Sequence, residues 1–315
     1  MDQNLIDFSS DTNFVKTNVK LNCLTNSVNI DTLFDMLSKK YNIKSNNIEL
    51  FSSEEALILS ILQLLKPNYI TIYTPIPTYY IDICNMFNVE IDLIDCLSNI
   101  NRGVKENSLI IFANPSLASG EFYELKPFLE AWDKIACKVI IIETALEYSN
   151  KASLSKFIEQ YDNIYIVKNI AKIFGSTIFD TSVLISSAKN IKKIKNYKQF
   201  KKPNMIELDY LYQSLNDKSF FLTFKAINYK NSLLLENILK NSEIFDEVLP
   251  PYTNIILTKL KIDDFIILQK YLKKHNIIIE QNITMIDSLI ATRFCTKKTK
   301  ELLMLEKLLK EFNKN

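Results

Sequence analysis

The chain has 315 residues, 47% of them apolar and 11% aromatic, enough to bury a large core and to form one large domain with a smaller one. Its 38 basic and 36 acidic residues leave a formal charge of +2, which argues against an electrostatic nucleic-acid binder, since such proteins concentrate positive charge to displace counterions. Cys23, Cys84, Cys96, Cys137 and Cys295 are far apart and lack any C-x-x-C spacing, so five buried apolar thiols are expected rather than disulfides or a metal site.

Read in chain order, Met-Asp-Gln-Asn-Leu has no basic flank and no apolar stretch, and no run of about 18 apolar residues follows. A cytoplasmic protein with no membrane partner is expected, its partner a small molecule or another protein. Short apolar runs rich in β-branched and aromatic residues then alternate with helical periodicity. Strands are expected at residues 48–51, 69–73, 89–94, 109–113, 139–142, 164–167 and 182–185, with helices at 54–65, 78–87, 125–135 and 154–161. Ser53 is the expected cap of the first helix. Such an alternation predicts an α/β fold: a seven-stranded, mostly parallel sheet sandwiched by helices, with ligands at the carboxyl ends of its strands. The lysine-rich segment 189–202 reads as a solvated helix face rather than a binding patch. Helices at 206–215 and 222–239 follow. Apolar runs at 255–257, 277–279 and 290–294, with helices at 263–274 and from 299, make a small α+β unit. The expected organisation is an N-terminal arm over 1–30, a large α/β domain over 31–217 and a small C-terminal domain over 218–315.

Chemistry concentrates at Ala171-Lys172-Ile173-Phe174-Gly175, which follows an apolar run in a chain with only three glycines. Lysine is abundant, so any one lysine is by default a solvated side chain. At a strand-to-turn junction, however, a lysine can be partly desolvated, which lowers its pKa and frees the amine to form a Schiff base with an aldehyde. The only histidine, His275, sits in Lys-Lys-His-Asn at a helix end and reads as a surface residue, which leaves no histidine-dependent triad. Three glycines exclude a G-x-G-x-x-G turn and a Walker loop. Trp132 and the many tyrosines read as core and interface residues.

Four further stretches accompany Lys172 in order: Asp7-Phe-Ser-Ser-Asp-Thr-Asn13, Leu50-Phe-Ser-Ser-Glu-Glu-Ala56, Asn114-Pro-Ser-Leu-Ala-Ser-Gly120 and Glu143-Thr-Ala-Leu-Glu-Tyr148. Together the five resemble the fold-type-I pyridoxal-phosphate enzymes, in particular the histidinol-phosphate aminotransferase and threonine-phosphate decarboxylase branch of the class I/II aminotransferases, over nearly the whole chain. The resemblance implies a homodimer and a pyridoxal 5'-phosphate cofactor joined to Lys172, with a small amino acid transaminated or decarboxylated. Ser53 and Glu54 would then offer backbone N–H groups to the cofactor phosphate at a helix N-terminus. Tyr79 or Tyr80 would pack beside the ring, although the ungapped register puts Pro77 there. Asn114 would lie in the cofactor loop, and Glu143 would pair with the pyridinium nitrogen, unless the other register puts Ile142 there. Asn13, Asn254 and Arg293 would hold the substrate, with Ala291 as the alternative to Arg293. Leu117 stands where the family has an asparagine for the ring oxygen, Ala171 where it has a serine, and Asp180 where it has an arginine for the phosphate. Those departures keep a second class open: a cofactor-poor or non-catalytic scaffold with a binding or regulatory role.

Overall fold

A computed structural model describes residues 5–20, 28–197, 202–279, 284–286 and 289–313. The first elements are strand β1 (Ile6–Asp7), helix α1 (Ile30–Tyr41), β2 (Ile48–Phe51), α2 (Glu54–Leu65), β3 (Tyr69–Thr74), α3 (Thr78–Asn85), β4 (Glu90–Asp95), one-turn α4 (Cys96–Asn99) and β5 (Leu109–Ala113). The middle of the chain forms α5 (Lys126–Lys134), β6 (Lys138–Ile142), β7 (Ile164–Asn169), one-turn α6 (Ile170–Ile173), β8 (Ser182–Ser186), α7 (Ala188–Asn196), α8 (Met205–Asn216) and the long α9 (Lys218–Asn241). It closes with β9 (Glu247–Val248), β10 (Ile255–Leu260), α10 (Ile262–Lys274), β11 (Ile277–Ile278), β12 (Thr284–Ile286), β13 (Leu289–Cys295) and α11 (Thr299–Phe312).

The seven expected strands form one sheet in the order β2-β8-β7-β6-β5-β3-β4. The pairs from β4 to β7 are parallel, whereas β8 runs antiparallel to both β7 and β2. The strands alternate between two cores. Ile110, Phe112, Val139, Ile141 and Ile166 pack with Leu33 and Leu37 of α1 and with Trp132 of α5. Ile111, Ile140, Ile142 and Val167 pack with Leu57, Ile58 and Ile61 of α2 and with Tyr80 and Ile83 of α3. A sheet covered on both faces needs apolar residues at every position, which is why these strands read as unbroken Ile/Val runs. Each fully buried Ile or Leu contributes about 1.5–3 kcal/mol, so an acidic residue at Ile141 would break the sheet's centre.

A second sheet, β12-β13-β10-β9, is antiparallel. Leu235 and Leu239 of α9, Phe265 and Leu268 of α10, and Leu302 and Leu305 of α11 pack with Ile256 and Phe294 of this sheet. The lysine-rich segment is helical over residues 189–196: Ile191 and Ile194 of α7 are buried, while Lys192, Lys193 and Lys195 face out. Two expectations change. Residues 154–161 are not a full helix but a 3-10 turn at Leu154–Phe157, because the Glu143 carboxylate takes the Leu154 N–H at 2.8 Å and fixes the start of the segment on the sheet end. Cys96 is half-buried rather than buried, Cys84, Cys137 and Cys295 are buried, and Cys23 lies outside the described residues.

Candidate active site around Lys172

Strand β7 runs straight into α6, and the turn between them is fixed by Asn169. Its Oδ1 accepts from the Lys172 N–H at 3.1 Å, as a helix cap does. The chain must then reverse at Gly175, whose φ is +76° and where a Cβ would stand 2.8 Å from Asn13 O and 2.9 Å from Val15 O. Only glycine meets both conditions without strain. Asn13 braces the turn from the other side. Its N–H donates to Lys172 O at 3.0 Å, its Nδ2 donates to Ile173 O at 2.9 Å, and its Oδ1 accepts from Val15 N and from Asn228 Nδ2.

Lys172 is 28% exposed and reaches a cavity of about 530 Å³ whose walls include Glu54, Tyr79, Asn169 and Asp180, within the usual size of a small-molecule site. Its Nζ lies 3.1 Å from Asp11 Oδ1. Burial pulls the lysine pKa down, but the Asp11, Glu54 and Asp180 carboxylates outweigh it, and the amine is held well above the ordinary lysine value. This corrects the expectation of a lowered pKa: desolvation is present, yet three anions face the amine. Burial works against the charge of Asp11 as well, but Lys172 and Arg293 hold its carboxyl below the usual aspartate range.

The N-terminus of α2 opens on the same cavity. Ser53 Oγ accepts from Ala56 N at 3.0 Å and so caps the helix. The Glu54 N–H donates to Asp180 Oδ2 at 3.2 Å, and Asn169 Nδ2 donates to the other Asp180 oxygen. The Glu54 carboxylate, 3% exposed, accepts from Tyr79 Oη at 2.7 Å and from Tyr80 Oη. Burial and then Glu54 push both phenols far above their ordinary pKa, so they remain donors. The two rings lie against each other, tilted by 32°, with centroids 3.9 Å apart. Tyr79, not Pro77, stands on the cavity wall with Lys172; Pro77 caps α3.

Arg293, whose charge also acts on Asp11, is 7% exposed and donates from Nη1 to Leu117 O at 3.0 Å and from Nη2 to Ser9 O at 2.9 Å. In the alternative register, Ala291 packs against Ala118 and Leu257. Asn254 Nδ2 donates to Asp11 O at 3.3 Å, while its buried Oδ1 has no hydrogen-bond partner. Lys172, Asp11, Arg293 and Asn254 therefore stand side by side, two cations flanking one carboxylate.

No protein-family model matches the chain. Its sequence is 27% identical over 199 residues to the histidinol-phosphate aminotransferase of Buchnera aphidicola subsp. Cinara cedri, a match spanning 58% of this chain and 56% of that relative. The solved histidinol-phosphate aminotransferase of Clostridium acetobutylicum superposes with a TM-score of 0.81 at 18% identity, covering 99% of this chain and 100% of its own. L-threonine-O-3-phosphate decarboxylase of Porphyromonas gingivalis gives 0.80 at 18% identity, with 99% and 100% covered. The Sinorhizobium meliloti histidinol-phosphate aminotransferase, solved in complex with pyridoxal-5'-phosphate, gives 0.79 at 14% identity, with 98% and 90% covered. The chain has the fold of the fold-type-I, class I/II aminotransferases.

Two residues expected to hold the cofactor have their polar atoms taken by other parts of the chain. Glu143 is ion-paired with Lys168 at 2.8 Å, both side chains at most 2% exposed, and accepts from Ser153 Oγ and Leu154 N. Lys168 Nζ lies over the Tyr41 ring of α1, so the pair sits on the α1 side of the sheet and not in the Lys172 cavity. Ile142, the other register, packs into the opposite core with α2. Asn114 also serves structure: its Nδ2 donates to Tyr123 O, and its Oδ1 accepts from Tyr123 N, both at 2.9 Å. Asp11 and Asn169 join the site although the sequence reading does not include them. Asp11 lies two residues before Asn13, in a stretch already singled out, and a lone cation in an apolar turn needs such a counter-charge. Asn169 ends the apolar run just before Lys172, where a capping residue belongs. Among the described residues no group of three or more His, Cys, Asp or Glu is placed to hold a metal, and no helix is long and apolar enough to cross a membrane.

Proposed function

We propose that this chain is an enzyme of the pyridoxal-phosphate kind, an aminotransferase or decarboxylase of a small amino acid, with Lys172 as the amine that carries the carbonyl as a Schiff base. The observation carrying this reading is the placement of Lys172: directly after an interior strand, capped by Asn169, and open to a cavity of about 530 Å³. The cavity fits the aldehyde and the ring of the cofactor, since an amine and the Tyr79 ring both face it. It does not fit the phosphate, because the Glu54 N–H that would receive an anion is filled by Asp180. When bound, the cofactor supplies an electron sink for charge developing at the α-carbon of an amino acid.

The rest belongs to the protein. Asp11 holds the proton on Lys172 Nζ, so the amine reacts only after that proton has left for solvent. Once neutral it is placed to take and return a proton at a substrate carbon. Arg293 and Asn254, beside Asp11, are the groups offered to a substrate carboxylate: the guanidinium through its fork and the amide by turning its donor end outward. Asn13 positions Lys172 and is not itself a substrate ligand in this reading. Ser53 contributes by capping α2, and Tyr80 by holding Glu54. Glu143 and Asn114 have no part in the chemistry.

The Asp180 carboxylate at the helix N-terminus favours a second reading, a cofactor-poor scaffold that binds or regulates. The two separate by experiment. Added pyridoxal phosphate should produce an absorbance band that shifts with amino acids and is absent in Lys172→Ala; an identical band in that variant removes the enzyme reading. A homodimer and a cytoplasmic location complete the proposal. Met86 on the cavity wall is 70% exposed, and Ile178, two residues before Asp180, is 86% exposed; a second copy would cover both. A monodisperse monomer by light scattering at micromolar concentration would reject the dimer.

A further inference from the structure

The carboxylate of Asp180 is built into the site. One oxygen accepts from the Glu54 N–H at 3.2 Å and the other from Asn169 Nδ2. Asn169 is itself pinned, its N–H donating to Thr144 Oγ1 at 3.0 Å and its Oδ1 accepting from Lys172 N. The loop before Asp180 is braced by Ser176 Oγ, which accepts from Ile178 N and Phe179 N, and Asp180 O accepts from Ser182 Oγ at 3.0 Å. The first turn of the twelve-residue helix α2 thus has its anion already in place, supplied by the chain.

The charges around it point the same way. The cavity carries the carboxylates of Glu54, Glu55, Asp82 and Asp180 against the single amine of Lys172. Arg102 pairs with Asp92 on the exposed sheet edge, and Arg293 bonds the carbonyls of Leu117 and Ser9. A phosphate entering here would meet a carboxylate on the N–H it needs, and more carboxylates on the walls.

We propose that Asp180 takes the place of a ligand phosphate, so that the carbonyl compound bound at Lys172 is an aldehyde without a phosphate group. The inference rests on the reading of Lys172 as the carbonyl-binding amine and adds the ligand's class. In the binding step the ammonium of Lys172 first loses a proton to solvent. The neutral nitrogen then adds to the carbonyl carbon and water leaves, so that one C=N bond replaces one C=O bond and no oxidant or reductant is needed.

The test compares pyridoxal with pyridoxal phosphate, and adds inorganic phosphate alone. Dissociation constants are measured on the whole chain by absorbance, for the unmodified protein and for Asp180→Asn, and thermal unfolding is followed with millimolar inorganic phosphate. The unmodified protein should bind pyridoxal at least as tightly as pyridoxal phosphate and gain no stability from phosphate. Asp180→Asn should tighten pyridoxal phosphate by at least about tenfold, one decade for the removed charge, gain stability from phosphate, and leave pyridoxal within about twofold. A preference of the unmodified protein for pyridoxal phosphate of tenfold or more, or phosphate stabilisation without the substitution, overturns the proposal; neither requires the variant to fold. If neither aldehyde reacts at Lys172 while phosphate stabilises only Asp180→Asn, the exclusion of phosphate stands and the reading of Lys172 falls.

Discussion

Replacing Asp11 with Asn should turn Lys172 into a faster amine. The ion pair at 3.1 Å is the nearest charge to Nζ, with side-chain exposures of 28% for Lys172 and 15% for Asp11. At an effective dielectric of about 20 the Coulomb attraction at that separation is about 5 kcal/mol, a ceiling, because both groups retain some water. Opposite charges at such range shift a pKa by about 1–3 units. Glu54 and Asp180 remain in the variant and continue to hold the amine up, so the low end applies: about one unit, or about 1.4 kcal/mol. Between pH 7 and pH 9 the neutral fraction of Lys172 should then rise about tenfold. The assay is the rate of borohydride trapping of pyridoxal at Lys172 as a function of pH. In the unmodified protein the rate should climb through pH 10 without a plateau, since the amine titrates above its ordinary 10.5; Asp11→Asn should lie about tenfold higher at pH 8. Superimposable profiles would refute the charge argument.

Stability follows the same linkage. Lys172 has a raised pKa, so its contribution is complete below its unfolded value and is lost as pH rises through its folded value. Asp11 has a depressed pKa, so its contribution is present above its unfolded value and is lost as pH falls through its folded value. The difference in unfolding free energy between the unmodified protein and Asp11→Asn should be flat from about pH 5 to 9 and shrink on both sides, as read by urea titrations. Lys168→Met leaves Glu143 buried without its ion and should cost about 3–5 kcal/mol in urea unfolding, with much of it recovered by adding Glu143→Gln. Equal losses in the single and double variants would contradict this. Arg293→Ala strips the donors from two carbonyls and should destabilise by about 2–4 kcal/mol; a loss below about 0.5 kcal/mol would mean the guanidinium does not hold Leu117 and Ser9. Gly175→Ala, forced to a φ of +76° with its Cβ against Asn13 O, should lower the melting temperature by several degrees, at roughly 4 °C or less per kcal/mol for a chain of this size, and an unchanged melting temperature would argue against that turn.

The sheet was legible because most of its strands are apolar runs between polar turns, and Glu54–Leu65 could be bounded from Ser53 and its hydrophobic spacing alone. The reversal of β8 was not legible: Ser182–Ser186 is as fully buried as the parallel strand β5, and strand direction comes from the short loop through Gly175, which leaves no room for a crossover. Lys172 could be found from its neighbours in the chain. Its protonation could not, since Asp11, Glu54 and Asp180 are remote in sequence and only the fold brings them to one amine. Glu143 misled for a related reason. A carboxylate at a strand end reads as a ligand group, but alternation along β6 turns it to the α1 face, where Lys168 waits. The sequence shows Asp180 where the family has a phosphate arginine; that it bonds the Glu54 N–H itself is visible only in the structure.

Lys172 is proposed here as the one carbonyl-binding amine of this chain. The most direct measurement is peptide mapping after borohydride reduction of the purified protein with one equivalent of pyridoxal at pH 9. A single labelled peptide containing Lys172 is expected, at close to one label per chain and lost in Lys172→Ala. Label spread over many of the chain's lysines, or label that persists in Lys172→Ala, would contradict it.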